Sequence, residues 1–249
     1  MSILSNRTAL VTGASRGLGR ATATLLAKHG ARVIVHYGVN RDAADQVVAQ
    51  IVGSGGQADA IGADLASADG PNLLAEAVKA LGLERLDVIV ASAGIGEYKA
   101  FEEETIESFD RHFAINVRAP FFLIQQLLPL LGDGSSVVLL SSVVARVAFE
   151  GGSVYSASKG AIEVLTRNLA KELGPRGIRV NAIAPGATNT DMAAAFLGTT
   201  EGREHIKGLQ ALKRIGEPDD IADAILFLAS DQSRWIDGRS IETSGGANL

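Results

Sequence analysis

The 249-residue chain has no cysteine, one tryptophan, three tyrosines, two methionines and six prolines. Lack of cysteine excludes disulfides, thiol nucleophiles and thiolate metal sites. It suits a reducing compartment, so a cytoplasmic protein is expected. The four histidines, His29, His36, His112 and His205, are scattered without ligand spacing, and no metal is expected. A net charge of -5 with no basic block argues against nucleic acid or an anionic membrane as partner. The opening Met1 to Arg7 carries no apolar signal segment. The most apolar stretch, 121–131, is interrupted by Gln125, Gln126 and Pro129 and is too short by itself to span a bilayer.

What is present is an alternation of short β-branched runs with longer amphipathic ones. Strands are expected at 8–12, 32–36, near 58–61, and at 86–91, 136–141, 179–184 and 240–243. Helices are expected at 19–29, 42–53, 73–81, 106–131 with a distortion near Pro120, 154–173 and 219–230. The run Asp87-Val88-Ile89-Val90 is apolar as a strand covered on both faces should be. Repeated βα units predict an α/β fold: one domain over residues 1–249, a doubly wound, Rossmann-like parallel sheet with helices on both faces.

Two motifs carry chemistry. Thr12-Gly13-Ala14-Ser15-Arg16-Gly17-Leu18-Gly19 follows the first strand and opens the first helix, where free N–H groups and the helix dipole make an anion site. Gly13 permits the tight turn, and Gly17 and Gly19 permit close backbone approach to a pyrophosphate, with Ser15 and Leu18 between them. An acid at the end of the second strand would accept from the ribose 2′-OH of NAD. Here that strand ends Val35-His36-Tyr37-Gly38, and the first acid, Asp42, comes too late. Arg16, with Asn40 and Arg41 just beyond Tyr37, suits a 2′-phosphate, so NADP(H) is the expected cofactor.

The second motif is Tyr155-Ser156-Ala157-Ser158-Lys159. Tyr155 and Lys159, at i and i+4, share a helix face, and a nearby ammonium is expected to lower the phenol pKa toward a useful general acid. Ser142 closes the strand Val137-Val138-Leu139-Leu140 at the carboxyl edge, where its hydroxyl can donate to a carbonyl oxygen. From the residues alone, Ser141 is an alternative.

In order and spacing these motifs resemble the short-chain dehydrogenase/reductase family, over nearly the whole chain from Thr8 to about Gly246. The pattern is closest to bacterial 3-oxoacyl-carrier-protein reductases. The resemblance implies reversible, NADPH-dependent reduction of a ketone or β-ketoester to a secondary alcohol, with Ser142, Tyr155, Lys159 and Asn116 as catalytic set. It prefers Ser142 to Ser141 and has Asn116 hold a water that relays protons from Lys159. Lys159 also anchors the nicotinamide ribose. The resemblance places Asp64 and Leu65 at the adenine and Ala93 and Gly94 beside the cofactor. Pro185, Gly186, Thr188 and Thr190 then hold its carboxamide and diphosphate.

The chain departs from that family at Ala91-Ser92-Ala93-Gly94, where two asparagines are usual, and at Thr243-Ser244-Gly245-Gly246. The first weakens polar ties around the adenosine; the second bears on packing and assembly. Ile95, Val143, Val144, Phe149 and 192–197 are expected to border a pocket for a small apolar ketone. Residues 188–214 would form a lid, with a mobile helix at 192–197. Arg146, Arg167, Lys171, Arg203 and Lys207 offer a basic rim if an acyl carrier presents the substrate. A homotetramer is implied, with helices around 101–131 and 155–173 at one interface and the C-terminal segment through Trp235 at another. Two alternatives stay open: an NAD-dependent alcohol, sugar or steroid dehydrogenase of the same family, and a non-catalytic NADP-binding scaffold or sensor.

Overall fold

The computed structural model describes residues 2–148 and 150–247. In chain order the elements are β1 (Thr8–Val11), α1 (Gly17–Lys28), β2 (Arg32–Tyr37), α2 (Arg41–Gly53), β3 (Gln57–Gly62), α3 (Gly70–Lys79) and β4 (Val88–Ala91). Then follow α4 (Ile106–Phe113), a π-helical turn (Ala114–Arg118), α5 (Ala119–Leu127), β5 (Ser136–Leu140), α6 (Ser153–Leu173) and β6 (Arg179–Pro185). The chain closes with α7 (Ala194–Leu197), α8 (Thr200–Leu209), α9 (Pro218–Ala229) and β7 (Ser240–Thr243). All seven strands are parallel, in the order β3-β2-β1-β4-β5-β6-β7. The order reverses between β1 and β4, so a crevice opens at their carboxyl ends.

The strand pleat sorts the core into two layers. Ala9 and Val11 of β1, with Val88 and Val90 of β4, face α1, α2 and α9 and pack with Leu26, Val47 and Ile225. Leu10 and Ile89 point the other way, onto Leu74 and Val78 of α3, Leu123 and Leu127 of α5 and Ile162 of α6. This two-sided burial explains why β4 reads as an unbroken apolar run and why every residue of β5 and β6 is buried.

Helix ends follow local chemistry. The Asn40 side chain accepts from Ala43 N–H at the start of α2. Glu217 and Asp220 form a reciprocal capping box around Pro218 at α9. Pro71 sits in the first turn of α3, which begins three residues before the expected start at 73. The apolar stretch 121–131 continues a longer helical run, Ile106–Leu130, which by length and composition is enough to cross a membrane. On it, Ala119, Leu123, Ile124 and Leu127 are buried in the core.

Two expectations shift. The 106–131 helix is interrupted by the π turn at Ala114–Arg118, directly before Pro120. The segment after 190 is not one lid helix over 192–197: a 3-10 turn (Asp191–Ala193) leads into the short α7, and α8 follows. None of the α8 residues is fully buried, so no apolar stripe announced it.

Candidate active site

A cavity of about 760 Å³ opens at the carboxyl edge and is lined by residues from Gly13, after β1, to Ile206 of α8. This is within the usual range for ligand pockets. On one side runs the glycine loop. Gly13 and Gly17 have φ of 64° and 53°, left-handed values that favour glycine. A Cβ on Gly19 would lie 2.3 Å from the Gly13 carbonyl oxygen, and one on Gly13 would lie 2.9 Å from Cα of Ala93. The backbone therefore forms a cradle against α1 and the β4 loop that a side chain would fill. Thr12 Oγ1 accepts from Ala93 N–H at 2.9 Å and ties the two loops together.

Gly13, Ser15, Arg16, Gly17, Leu18, Gly19, Asn40, Asp64, Leu65, Ala93, Gly94, Pro185, Gly186, Thr188 and Thr190 all line this cavity. Arg16 is exposed and pairs with Asp191 at 3.4 Å, across from the loop after β6. Tyr37 and Arg41 are not among the lining residues. The Tyr37 ring lies over Gly62, and Arg41 is turned to Asp45 at 3.3 Å along α2. Asp64 accepts from Ala66 N–H at 2.9 Å, which fixes the loop after β3.

Ser142, Tyr155 and Lys159 also line the cavity and are buried. The Ser142 hydroxyl donates to the Pro185 carbonyl at 3.4 Å and acts to lower the pKa of the Tyr155 phenol. Its neighbour Ser141 faces α6 instead, donating to the Lys159 carbonyl at 3.2 Å and reaching Glu163. Geometry thus separates the two serines that sequence left open.

The expected influence of Lys159 on the phenol needs correction. Burial pushes the Tyr155 phenol up, the nearby Tyr98 adds to that, and only the Ser142 hydroxyl works downward. Lys159 Nζ is 5.7 Å from the ring centroid and donates to the Leu140 carbonyl at 2.8 Å. Burial lowers its own pKa to about 8. The dry surroundings of the pair outweigh their mutual attraction.

Asn116, on the π turn, uses its whole carboxamide. Oδ1 accepts from Ile95 N–H at 2.9 Å, while Nδ2 donates to the Ile95 carbonyl and to Ser158 Oγ, both at 3.0 Å. It locks the β4 loop to the helical turn between Tyr155 and Lys159. A Cβ on Gly94 would sit 3.2 Å from Asn116 Oδ1 and 3.5 Å from Lys159 Nζ, so both groups border that glycine.

Ile95, Val143, Val144, Met192, Phe196 and Ile206 form an apolar wall beside these hydroxyls. Phe149, expected there too, lies outside the described residues. Tyr98, which sequence reasoning missed, stands edge-on to Tyr155 with centroids 5.8 Å apart and to Phe196 at 5.0 Å. His36 and His112 were also missed as site residues. Each is buried and bonds a loop that borders the cavity. His36 sat inside an apolar strand run and His112 inside a helix, so neither carried a motif.

A family model described as "Enoyl-(Acyl carrier protein) reductase" matches residues 13–248. Versicolorin reductase 1 of Aspergillus parasiticus is 40% identical over 256 residues, covering 98% of this chain and 97% of the relative. A short-chain dehydrogenase/reductase of Pestalotiopsis microspora is 39% identical over 256 residues, covering 98% and 96%. Among solved structures, the angucycline C-6 ketoreductase LanV with bound NADP superposes with a TM-score of 0.94 at 41% identity, covering 100% of this chain and 98% of that one.

Proposed function

The chain belongs to the short-chain dehydrogenase/reductase family, and on that footing we propose that it reduces a ketone to a secondary alcohol with NADPH, reversibly. The observation that carries this reading is one cavity that joins the glycine cradle to the buried hydroxyls of Ser142 and Tyr155.

The cradle at Gly13, Gly17 and Gly19 fits a dinucleotide, because its backbone has room there that any side chain would remove. When bound, the cofactor supplies a hydride for the carbonyl carbon. The amides at the start of α1 would hold the pyrophosphate. Arg16 and Asn40 both border the cavity, and no carboxylate ends β2; a 2′-phosphate would fit this better than a free 2′-OH. Asp64 and Leu65 would border the adenine, Ala93 and Gly94 the middle of the cofactor, and Pro185, Gly186, Thr188 and Thr190 would hold its carboxamide and diphosphate, since all of them line the cavity. Tyr37 and Arg41 act from outside, the latter by charge alone.

Ser142 donates to the ketone oxygen and Tyr155 delivers its proton there as negative charge develops. Burial keeps the phenol protonated at neutral pH, which is the form reduction needs. The Lys159 ammonium, mostly charged below pH 8, lies close enough to stabilise the phenolate left behind. Asn116 keeps the β4 loop and the Tyr155 turn in register and offers a polar path toward Lys159.

The wall of Tyr98, Phe196, Met192 and Ile206 supports a planar aromatic ketone as substrate. Residues 188–214, with α7 and α8, act as the lid. A free small molecule is favoured over a carrier-bound one, because Arg146 is paired with Glu163 and Glu242, and Lys207 with Glu204. Exposed Ile106, Phe109, Phe121, Phe122 and Val164 on α4, α5 and α6 support a homotetramer, and Trp235, 97% exposed, marks a second contact. Sedimentation would report that assembly.

The test is loss of NADPH absorbance with an aryl ketone, a β-ketoester, a keto-sugar, a 3-oxoacyl thioester and an enoyl thioester, NADH in parallel. Ketone turnover favouring NADPH is expected. Faster turnover with NADH would overturn the cofactor choice, and turnover of the enoyl thioester alone would overturn the ketone. NADPH binding without turnover of any substrate would favour a non-catalytic protein.

A further inference from the structure

Two buried histidines each accept a backbone N–H from a loop of the cavity. His36, on β2, accepts from Gly13 N–H through Nδ1 at 3.1 Å. Its Nε2 lies 3.0 Å from the Ala63 carbonyl and must therefore be the protonated nitrogen. His112, on α4, has the opposite tautomer. Nε2 accepts from Glu97 N–H at 3.1 Å, and Nδ1–H donates to the Ser108 carbonyl at 2.8 Å. In both rings the nitrogen facing the loop is the acceptor.

The two rings serve different halves of the cavity. The His36 carbonyl also accepts from Ala14 N–H at 2.8 Å, so His36 takes two consecutive amides of the glycine loop. Its other ring nitrogen ties that loop to the end of β3, next to Asp64 and Leu65. His112 stands one helical turn before Asn116. Together they grip the loop after β4 at Ile95 and Glu97, and Lys99 N–H donates to the Gly151 carbonyl at 3.0 Å beyond them. Tyr98 lies between the last two grips, edge-on to Tyr155 and Phe196.

We propose that these histidines are positioning residues with divided roles: His36 sets the glycine loop for the cofactor, and His112 sets the 94–99 loop, and with it Tyr98, for the ketone. This division rests on the ketoreductase reading. The opposite tautomers make it specific. An Asn carboxamide oxygen reproduces an Nδ1 acceptor, whereas a Gln carboxamide oxygen reproduces an Nε2 acceptor.

The experiment uses the full chain carrying His36→Leu, His36→Asn, His36→Gln, His112→Leu, His112→Gln or His112→Asn. Each is read by amide exchange, NADPH affinity by calorimetry, ketone KM and kcat at saturating NADPH, and thermal unfolding. In H36L, exchange accelerates at Gly13 and Ala14 only, and the NADPH Kd rises about tenfold while ketone KM stays within about twofold. In H112L, exchange accelerates over 95–99 only, and ketone KM rises about tenfold with NADPH Kd within about twofold. H36N and H112Q restore binding; H36Q and H112N do not.

The proposal is overturned if both Leu variants move both constants in step with their unfolding temperature, if neither moves either constant, or if the rescue pattern is reversed. If the unsubstituted protein binds no NADPH, the ketoreductase reading falls and takes the division of roles with it. If it binds NADPH and turns over ketones, any failure belongs to the histidines alone.

Discussion

Pro120 stands four residues after Asn116, and its ring nitrogen has no hydrogen to return to the Asn116 carbonyl. The helix answers with the π turn Ala114–Arg118, which carries Asn116 into the loop after β4. Pro120→Ala supplies the missing donor and favours a regular α-helical turn. The Asn116 carboxamide then loses register with Ile95 and Ser158. A fall in kcat of about tenfold is expected with the fold retained, since small misplacements at a reacting centre are costly. Steady-state kinetics with circular dichroism checks this; unchanged kcat would show that the π turn does not matter.

Tyr155→Phe removes one hydroxyl and little volume. Ketone turnover should fall by roughly 10²–10⁴ while NADPH affinity changes little, because the phenol acts in proton transfer. Ser142→Ala should cost about 10²–10³ in kcat through the lost donor to the oxyanion. Turnover retained by the Phe variant would mean that another group is the acid.

Lys159 has its pKa lowered to about 8 by burial, so its charge disappears as pH rises through that value. The reductive kcat should therefore fall above pH 8, where no ammonium remains to stabilise the phenolate. Lys159→Met should flatten this limb and lower kcat at pH 7. A pH-rate profile unchanged by the substitution would remove Lys159 from the proton-transfer step.

His36 is held near pKa 4 by burial, against 6.5 for the free side chain. Between those values the unfolded chain binds the extra proton, so stability is lost as pH falls from about 6.5 toward 4. The upper limit is on the order of 3 kcal/mol. Urea midpoints against pH should fall more steeply for the natural protein than for His36→Asn, which has no ionisable group at that position. Parallel curves would show that this histidine does not contribute to acid sensitivity.

The helices and strands were legible because their signals are local. Val88–Ala91 is apolar throughout, and the glycines after β1 sit where the chain must turn. Element ends were harder. Pro71 reads as a stop but belongs to the first turn of α3, and α8 is too polar to show a stripe. In the site, the glycine loop, Ser142, Tyr155 and Lys159 were named from spacing. Tyr98, His36 and His112 were not, since each acquires its place from a segment at least fifteen residues away in sequence, such as Gly13 for His36 and Phe196 for Tyr98.

By itself the sequence determined the βα alternation, the cradle at Gly13 to Gly19 and the shared helix face of Tyr155 and Lys159, because periodicity, turn chemistry and i to i+4 spacing act within a few residues. Only the tertiary structure decided which of Ser141 and Ser142 meets the phenol, where Lys159 Nζ donates, and that Arg41 turns away to Asp45. It also decided that burial raises the Tyr155 phenol despite the nearby cation. Desolvation and hydrogen-bond choice depend on everything packed around a group, and those neighbours come together only when distant segments fold onto one another.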